Sequence, residues 1–242
     1  MLDSLHIKNF RMLEDFEVKK LGRLNLIVGK NNSGKSTVLE ALRDYAMNIE
    51  PIPIGFIPTE FIPLDDLAKI WDSIIFTEHE EIVKQAIKII APDFENIAFI
   101  LNEDNQRAAI IKMKNIPRPI SIKYLGDGML RIFQIAIQLV SAKGGFLLID
   151  EFENGLHYSV QEKIWTLLFE MAEKLNIQVF ATTHSWDCIE SFTKVAILHK
   201  ETEAVLFHMG RSVRNSDKGR VIATVYDKDA LTMVTQSDLD IR

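Results

Sequence analysis

Two spacings of apolar residues divide the chain. Over residues 2–8 and 15–20 apolar and polar positions alternate, as in half-buried strands, and Asn9-Phe10-Arg11 separates the two, so a hairpin opens the chain with residues 2–8 as an edge strand. After a turn at Gly22-Arg23 comes an unbroken apolar run, Leu24 to Val28, which predicts a short strand covered on both faces. Residues 35–48 switch to helical spacing, with Val38, Leu39, Leu42, Tyr45 and Ala46 on one face. Four of the seven prolines then fall within 49–63 (Pro51, Pro53, Pro58, Pro63), which predicts an irregular apolar loop. Helices are expected over 64–76 and 78–91, the second stopped by Pro92. Strands are expected over 97–101, 107–114 and 120–124, the first two joined by Glu103-Asp104-Asn105 as a hairpin.

From Leu125 a glycine-bearing segment leads into a helix running to about Val140, and Lys143-Gly144-Gly145 forms a turn. Strand and helix then alternate: Phe146–Ile149, a helix over 158–175, and a strand over 177–182. Strands at 195–199, 204–209 and 220–226 and a short C-terminal segment complete the pattern. Such alternation predicts an α/β fold: a parallel core sheet covered by helices, with a smaller antiparallel β sub-sheet and a short helical insertion beside it.

Composition narrows this little. A chain of 242 residues, 47% hydrophobic, is enough for one large domain or a domain with a small lobe. A net charge of −6 gives no global basic field to draw it onto nucleic acid or anionic lipid. The single cysteine, Cys188, cannot form an internal disulfide. Asp3, His6 and Lys8 interrupt any apolar leader, and no apolar run approaches the roughly 18 residues of a membrane span. The expectation is a cytoplasmic protein without a membrane partner.

The candidate chemistry lies at strand ends. Gly29-Lys30-Asn31-Asn32-Ser33-Gly34-Lys35-Ser36 matches G-x-x-x-x-G-K-[ST] between a predicted strand and a predicted helix. In such a loop the backbone N–H groups and the helix dipole face an anion, Lys35 bridges the β- and γ-phosphates of a nucleotide, and the Ser36 hydroxyl meets Mg²⁺. Asp150-Glu151 closes the apolar strand 146–149, where a parallel sheet gathers ligands; Asp150 suits Mg²⁺, and Glu151 suits the orientation or deprotonation of a water. His184 ends the next strand within Thr182-Thr183-His184-Ser185, placed to bond a γ-phosphate and sense its loss. Gly126-Asp127-Gly128 precedes a helix and offers a second anion-binding surface.

In this order the set resembles the ATPase heads of the ABC superfamily, within the branch of SMC, RecF and OLD-like proteins that includes stand-alone "AAA family" ATP-binding proteins. Lys8-Asn9-Phe10-Arg11 resembles that branch's opening strand, Asp150 to His157 its Walker B and D-loop, and Gln178 to Ser185 its switch-histidine strand. The resemblance implies a P-loop NTPase fold over 1–242: N-terminal strands and P-loop in 1–48, a helical and β insertion lobe in 49–118, and signature, Walker B, D-loop, switch histidine and C-terminal strands in 119–242. It implies Mg-dependent ATP hydrolysis by a head-to-tail homodimer with ATP sandwiched between two heads. Carried over, Gly29, Asn31, Asn32, Ser33, Gly34, Lys35, Ser36 and Thr37 bind phosphates, Ser36 and Asp150 hold Mg²⁺, and Glu151 is the base. His184 is the switch, Asn154-Gly155 the D-loop, Gly126, Asp127 and Gly128 the trans signature, and Arg11 a phosphate ligand.

Three departures stand out. The branch's signature reads L-S-G-G-Q or L-S-x-G, whereas here it is Leu125-Gly126-Asp127-Gly128-Met129, without the serine. Gln85 and Gln106 are the only glutamines between P-loop and signature, and neither marks a glutamine loop. Residues 64–91 allow only a short helical pair in place of a coiled coil. The resulting expectation is an ATP-driven switch for a separate effector, such as a partner nuclease, with a link to phage defence that rests on resemblance alone. A DNA-binding repair ATPase is one alternative, its basic candidate being Arg211, Arg214, Lys218 and Arg220; a transporter nucleotide-binding subunit is the other. Asp227-Lys228-Asp229 does not make a guanine-reading motif, and the histidines and Cys188 lack metal-ligand spacing.

Overall fold

The computed structural model describes residues 1–48, 51–102, 104–214, 217 and 219–231. Strands β1 (Leu5–Phe10) and β2 (Leu13–Val18) form an antiparallel hairpin. β3 (Leu24–Val28) leads into helix α1 (Lys35–Asn48), and β4 (Ile54–Ile57) follows. Helices α2 (Leu64–Ile74) and α3 (Glu78–Ile90) precede β5 (Phe94–Leu101), β6 (Arg107–Met113) and β7 (Ile120–Ser121). Then come α4 (Asp127–Ser141), β8 (Phe146–Ile149), α5 (Tyr158–Lys174), β9 (Gln178–Thr183), α6 (Trp186–Leu198), β10 (Ala204–Arg211) and β11 (Val221–Tyr226).

The core sheet has the order β11-β10-β3-β9-β8-β4, parallel except for the antiparallel edge strand β11. Its three central strands are wholly buried, which explains why β3, β8 and β9 read as continuous apolar runs. One apolar cluster lies between the sheet and α2 to α6; the other sits under α1 and the β1–β2 hairpin. β5, β6 and β7 make a separate antiparallel sheet, tied to the main body where Trp71, Phe99 and Phe133 meet with ring centroids 5.9–6.4 Å apart. This is the α/β architecture expected, with the antiparallel sub-sheet in place.

Three local expectations are corrected. The proline-rich stretch 49–63 is not all irregular: Ile54–Ile57 is an edge strand of the core sheet, paired in parallel with Phe146–Ile149. Prolines bracket it because an edge strand and its flanks tolerate missing N–H donors. Glycine lets it dock, since a Cβ on Gly55 would lie 2.3 Å from Gln138 O and one on Gly145 1.9 Å from Pro53 O. Residues 195–199 are not a strand. The Ser185 Oγ caps α6 by accepting from Cys188 N, and Cys188, Ile189, Phe192, Val195 and Ala196 bury at helical spacing through Leu198. The strand expected over 120–124 stops at Ser121, whose hydroxyl accepts from Lys123 N and starts a 3-10 turn over Ile122–Leu125. Glu103 of the expected hairpin turn, Lys218 of the basic loop and the chain beyond 231 lie outside the described residues. Among those described, no helix is long and apolar enough to cross a membrane.

Candidate functional site

Parallel strands β3, β9, β8 and β4 end at one edge of the sheet, and the chemistry gathers there. Gly29 follows β3 at φ 150°, where a Cβ would stand 2.6 Å from Met209 O; only glycine lets β10 pass that close. Asn32 at φ 61° and Gly34 at φ 97° complete the loop, and Val38 N donates to Gly34 O at 3.1 Å as α1 begins. The Lys35 Nζ folds back onto Gly29 O at 2.7 Å and Lys30 O at 3.1 Å. Burial lowers the pKa of this ammonium, opposed by the negative charges of Asp150, Glu151 and Glu153. Ser33 Oγ is buried without a hydrogen-bond partner among the described residues. A buried orphan hydroxyl and a lysine held only by carbonyls, beside a helix N-terminus, fit a polyphosphate.

Around Asp150 the donors are all oxygen. Its Oδ1 accepts from Ser36 Oγ at 3.0 Å and Thr182 Oγ1 at 2.6 Å, and its Oδ2 from Thr59 Oγ1 at 3.3 Å. Such a set suits a hard divalent cation. No group of three or more His, Cys, Asp or Glu capable of holding a metal occurs among the described residues. A Mg²⁺ here would therefore rest on Ser36, Asp150, nucleotide phosphates and water, as that ion commonly does.

Glu151, one residue on, has φ 49°, and its N–H donates to Thr182 Oγ1 at 2.8 Å. Its carbonyl is held by Arg131, the one charged side chain fully buried in α4. The Arg131 guanidinium donates to Pro58 O at 2.8 Å, Asp150 O at 2.6 Å and Glu151 O at 2.8 Å, joining the ends of β4 and β8 to α4. Burial lowers its pKa to about 10, against the pull of Asp150, Glu153 and Glu151, so it stays charged at neutral pH.

The turn at Gly126-Asp127-Gly128 and Gly155 pack against each other within one chain. A Cβ on Gly128 would sit 3.0 Å from Gly155 O, and one on Gly155, at φ 73°, 3.5 Å from Asp127 O. Gly126, at φ 83° and ψ 176°, has open space where a Cβ would stand. Asn154 turns inward, its Nδ2 donating to Thr59 O at 2.6 Å. His184 lies half exposed at the end of β9, with Nδ1 3.3 Å from Glu153 Oε1. Arg11, at φ 49° in the β1–β2 turn, pairs with Glu40 of α1 at 2.6 Å.

The structure thus brings Lys35, Ser36, Asp150, Glu151 and His184 to the strand ends. Four further residues come with them. Thr59 carries no motif, and its place beside Asp150 depends on the β4 pairing. Thr182 was visible only as part of a polar cluster. The signal for Arg131 is a lone cation amid apolar helix positions, and that for Glu153 is a third acid after Asp150-Glu151. Gln85 is exposed on α3 and Gln106 sits in the β5–β6 turn. In the basic loop, Arg211 donates to Gly219 O and Arg220 pairs with Asp15 at 3.0 Å.

Comparison with known proteins gives two family matches: "AAA ATPase domain" over residues 1–89 and "AAA domain, putative AbiEii toxin, Type IV TA system" over residues 72–187. An uncharacterized protein of Methanocaldococcus jannaschii is 32% identical over 117 residues, 45% of this chain and 50% of that protein. An ATP/GTP phosphatase of Helicobacter pylori is 31% identical over 101 residues, 40% of this chain and 27% of its own length. An OLD nuclease of Thermus scotoductus is 44% identical over 66 residues, 27% of this chain and 12% of its length. The matched stretch thus spans half or less of each of these relatives. Among solved structures, an SMC head from Pyrococcus furiosus bound to the C-terminal domain of ScpA aligns with a TM-score of 0.61 and 11% identity, covering 97% of this chain and 98% of that one. The SMC head domain from Thermotoga maritima aligns at 0.55 with 14% identity, covering 93% and 98%. A part of the cbiONQ ABC transporter complex from Clostridium perfringens aligns at 0.54 with 18% identity, covering 96% and 88%.

Proposed function

We propose that this chain, an ABC-type ATPase head of the SMC/OLD-like branch, hydrolyses Mg-ATP in a head-to-tail dimer whose opening and closing control a separate effector. The observation that carries the reading is the convergence of Ser36, Thr59 and Thr182 hydroxyls on Asp150 beside the Lys35 loop. ATP phosphates would take over the Lys35 ammonium from its two carbonyls and fill the loop lined by Asn31, Asn32, Ser33, Gly34 and Thr37. Mg²⁺ on Ser36 and Asp150 would neutralise charge on the β- and γ-phosphates. Glu151, fixed in its turn by Arg131 and Thr182, orients and deprotonates water. His184 bonds the γ-phosphate and registers its departure, and Lys35 stabilises charge developing there.

The signature and D-loop of one head meet the nucleotide of the other in this reading. Their mutual packing through Gly128 and Gly155 makes them one surface, so a displacement of either moves both. Arg11 leaves Glu40 for a phosphate. Support for an effector comes from the relatives: one family match is described as a putative toxin of a toxin–antitoxin system, and one relative as a nuclease. A nuclease is the effector class this support favours, and a role in phage defence is the extension that rests on resemblance alone.

The test is the solution mass of Glu151→Gln protein, by light scattering after gel filtration, with Mg-ATP, with ADP and without nucleotide, alongside turnover by the wild type. A doubled mass with ATP alone and phosphate release by the wild type are expected. A monomer in all three states despite bound ATP would overturn the sandwich; absence of turnover by the wild-type dimer would overturn the hydrolytic assignment.

A further inference from the structure

An acid between the Walker B pair and the D-loop holds the switch histidine. The Glu153 side chain is 13% exposed, while that of His184 is 50% exposed. One Glu153 oxygen, Oε1, serves both ends of His184: it accepts from the backbone N–H at 3.1 Å and lies 3.3 Å from Nδ1. The other, Oε2, is buried and without a hydrogen-bond partner among the described residues. The negative charge of Glu153 favours the cationic forms of the buried Lys35 and Arg131 from a distance, but the side chain it meets within ion-pair distance is that of His184. Leaving a charged oxygen buried and unpaired costs stability, and a smaller polar residue could cap the same backbone N–H.

Imidazole chemistry supplies a reason. The two ring nitrogens are distinct, and the hydrogen bond made by one sets what the other can do. A carboxylate at Nδ1 makes that nitrogen the donor and orients the ring, and Nε2 is left for a partner on the far side. We propose that Glu153 is a positioning residue for hydrolysis, holding His184 so that Nε2 addresses the γ-phosphate. This rests on the reading of His184 given under the proposed function. Because Glu153 lies between Glu151 and Asn154, the same contact ties the orientation of the histidine to the turn that carries the D-loop. A shift of the D-loop on dimer closure would be felt at His184 without passing through the nucleotide.

A double-mutant cycle on ATP turnover tests this, using the full chain, Mg-ATP as the probe, and the variants Glu153→Ala, Glu153→Gln, His184→Gln and Glu153→Ala with His184→Gln. A lost orienting partner of a working histidine typically costs about tenfold or more. Glu153→Ala should lower kcat on that scale with the KM for ATP little changed. Glu153→Gln keeps an acceptor oxygen for both contacts and should recover most of the rate. In the His184→Gln background, Glu153→Ala should change kcat by less than about twofold, since residues that act as a unit are not additive. An equal loss in both backgrounds would overturn the proposal, because Glu153 would then act by another route. Full turnover by His184→Gln alone would instead remove the switch role of the histidine, and this inference with it. Should Glu153→Ala fail to fold, as read by its thermal melt, Glu153→Ser, whose hydroxyl can still accept from the His184 N–H but removes the carboxylate from Nδ1, is carried through the same cycle; it must then show a loss in kcat that vanishes beside His184→Gln, and no loss, or one that persists there, overturns the proposal.

Discussion

Restoring the serine of the usual signature should harm this protein. At Gly126 the backbone has φ 83° and ψ 176°, a combination open essentially to glycine alone. A Cβ there would meet nothing within 4 Å, so Gly126→Ser creates no clash and the whole cost is backbone strain. That strain is on the order of 1–3 kcal/mol. The turn cannot relax without consequence: Gly126 N donates to Lys123 O at 3.2 Å, and Gly126 O accepts from Met129 N at 3.2 Å to start α4. For a domain of this size about 1 kcal/mol shifts the melting temperature by roughly 2–4 °C, so a fall of roughly 2–12 °C is expected. Gly126→Ala is the control, carrying the same strain without a hydroxyl. Scanning calorimetry of the three proteins without nucleotide, together with ATP turnover, completes the test. Equal losses in the two variants, with no gain in turnover from serine, are expected. A serine variant that melts as high as the wild type and turns over faster would refute the reasoning, and would mean that the glycine does not set the conformation of this turn.

Three more predictions follow from buried groups. Lys35→Met should abolish ATP binding, measured with a fluorescent analogue, yet melt within about 1 kcal/mol of the wild type without nucleotide, because burial already penalises that ammonium. Arg131→Met removes donors from Pro58 O, Asp150 O and Glu151 O at once; urea denaturation should show a loss of about 3–5 kcal/mol, and turnover should fall even at temperatures where the variant is folded. Gly145→Ala drives a Cβ into Pro53 O and should detach β4 from β8. A loss above about 3 kcal/mol is expected, with Thr59 displaced from Asp150 and a raised Mg²⁺ requirement read from turnover against Mg²⁺ concentration.

Much of the site was legible because its chemistry is local. The loop from Gly29 to Ser36 needs glycines, a lysine and a hydroxyl at spacings that a strand–turn–helix fixes by itself, and Asp150-Glu151 marks a strand end whatever lies beside it. The resemblance to ATPase heads adds His184 and Asn154-Gly155; the structure places His184 at the end of β9 and packs Gly155 against the turn at Asp127-Gly128. Where reading by period failed, the residues were compatible with two states. Val195 to Leu198 is apolar enough for a strand, and only the helix begun at Ser185 and packed through Phe192 settles it.

The residues that convert the motifs into a site were decided by tertiary structure. Thr59 reaches Asp150 across 91 positions of sequence, and Thr182 across 32. Arg131 joins Pro58 to Glu151 from a different helix, and Glu153 meets His184 from the next strand end. None of these pairs shares a local spacing. Each follows from the strand order β3-β9-β8-β4 and from the docking of β4, which is set by two close backbone approaches that only Gly55 and Gly145 permit. Sequence by itself determined the glycine-lysine loop from Gly29 to Ser36, because its geometry is set within a single turn of chain; which carboxylates, hydroxyls and cation surround it was left to the sheet, because pairing between distant strands depends on how the whole core packs.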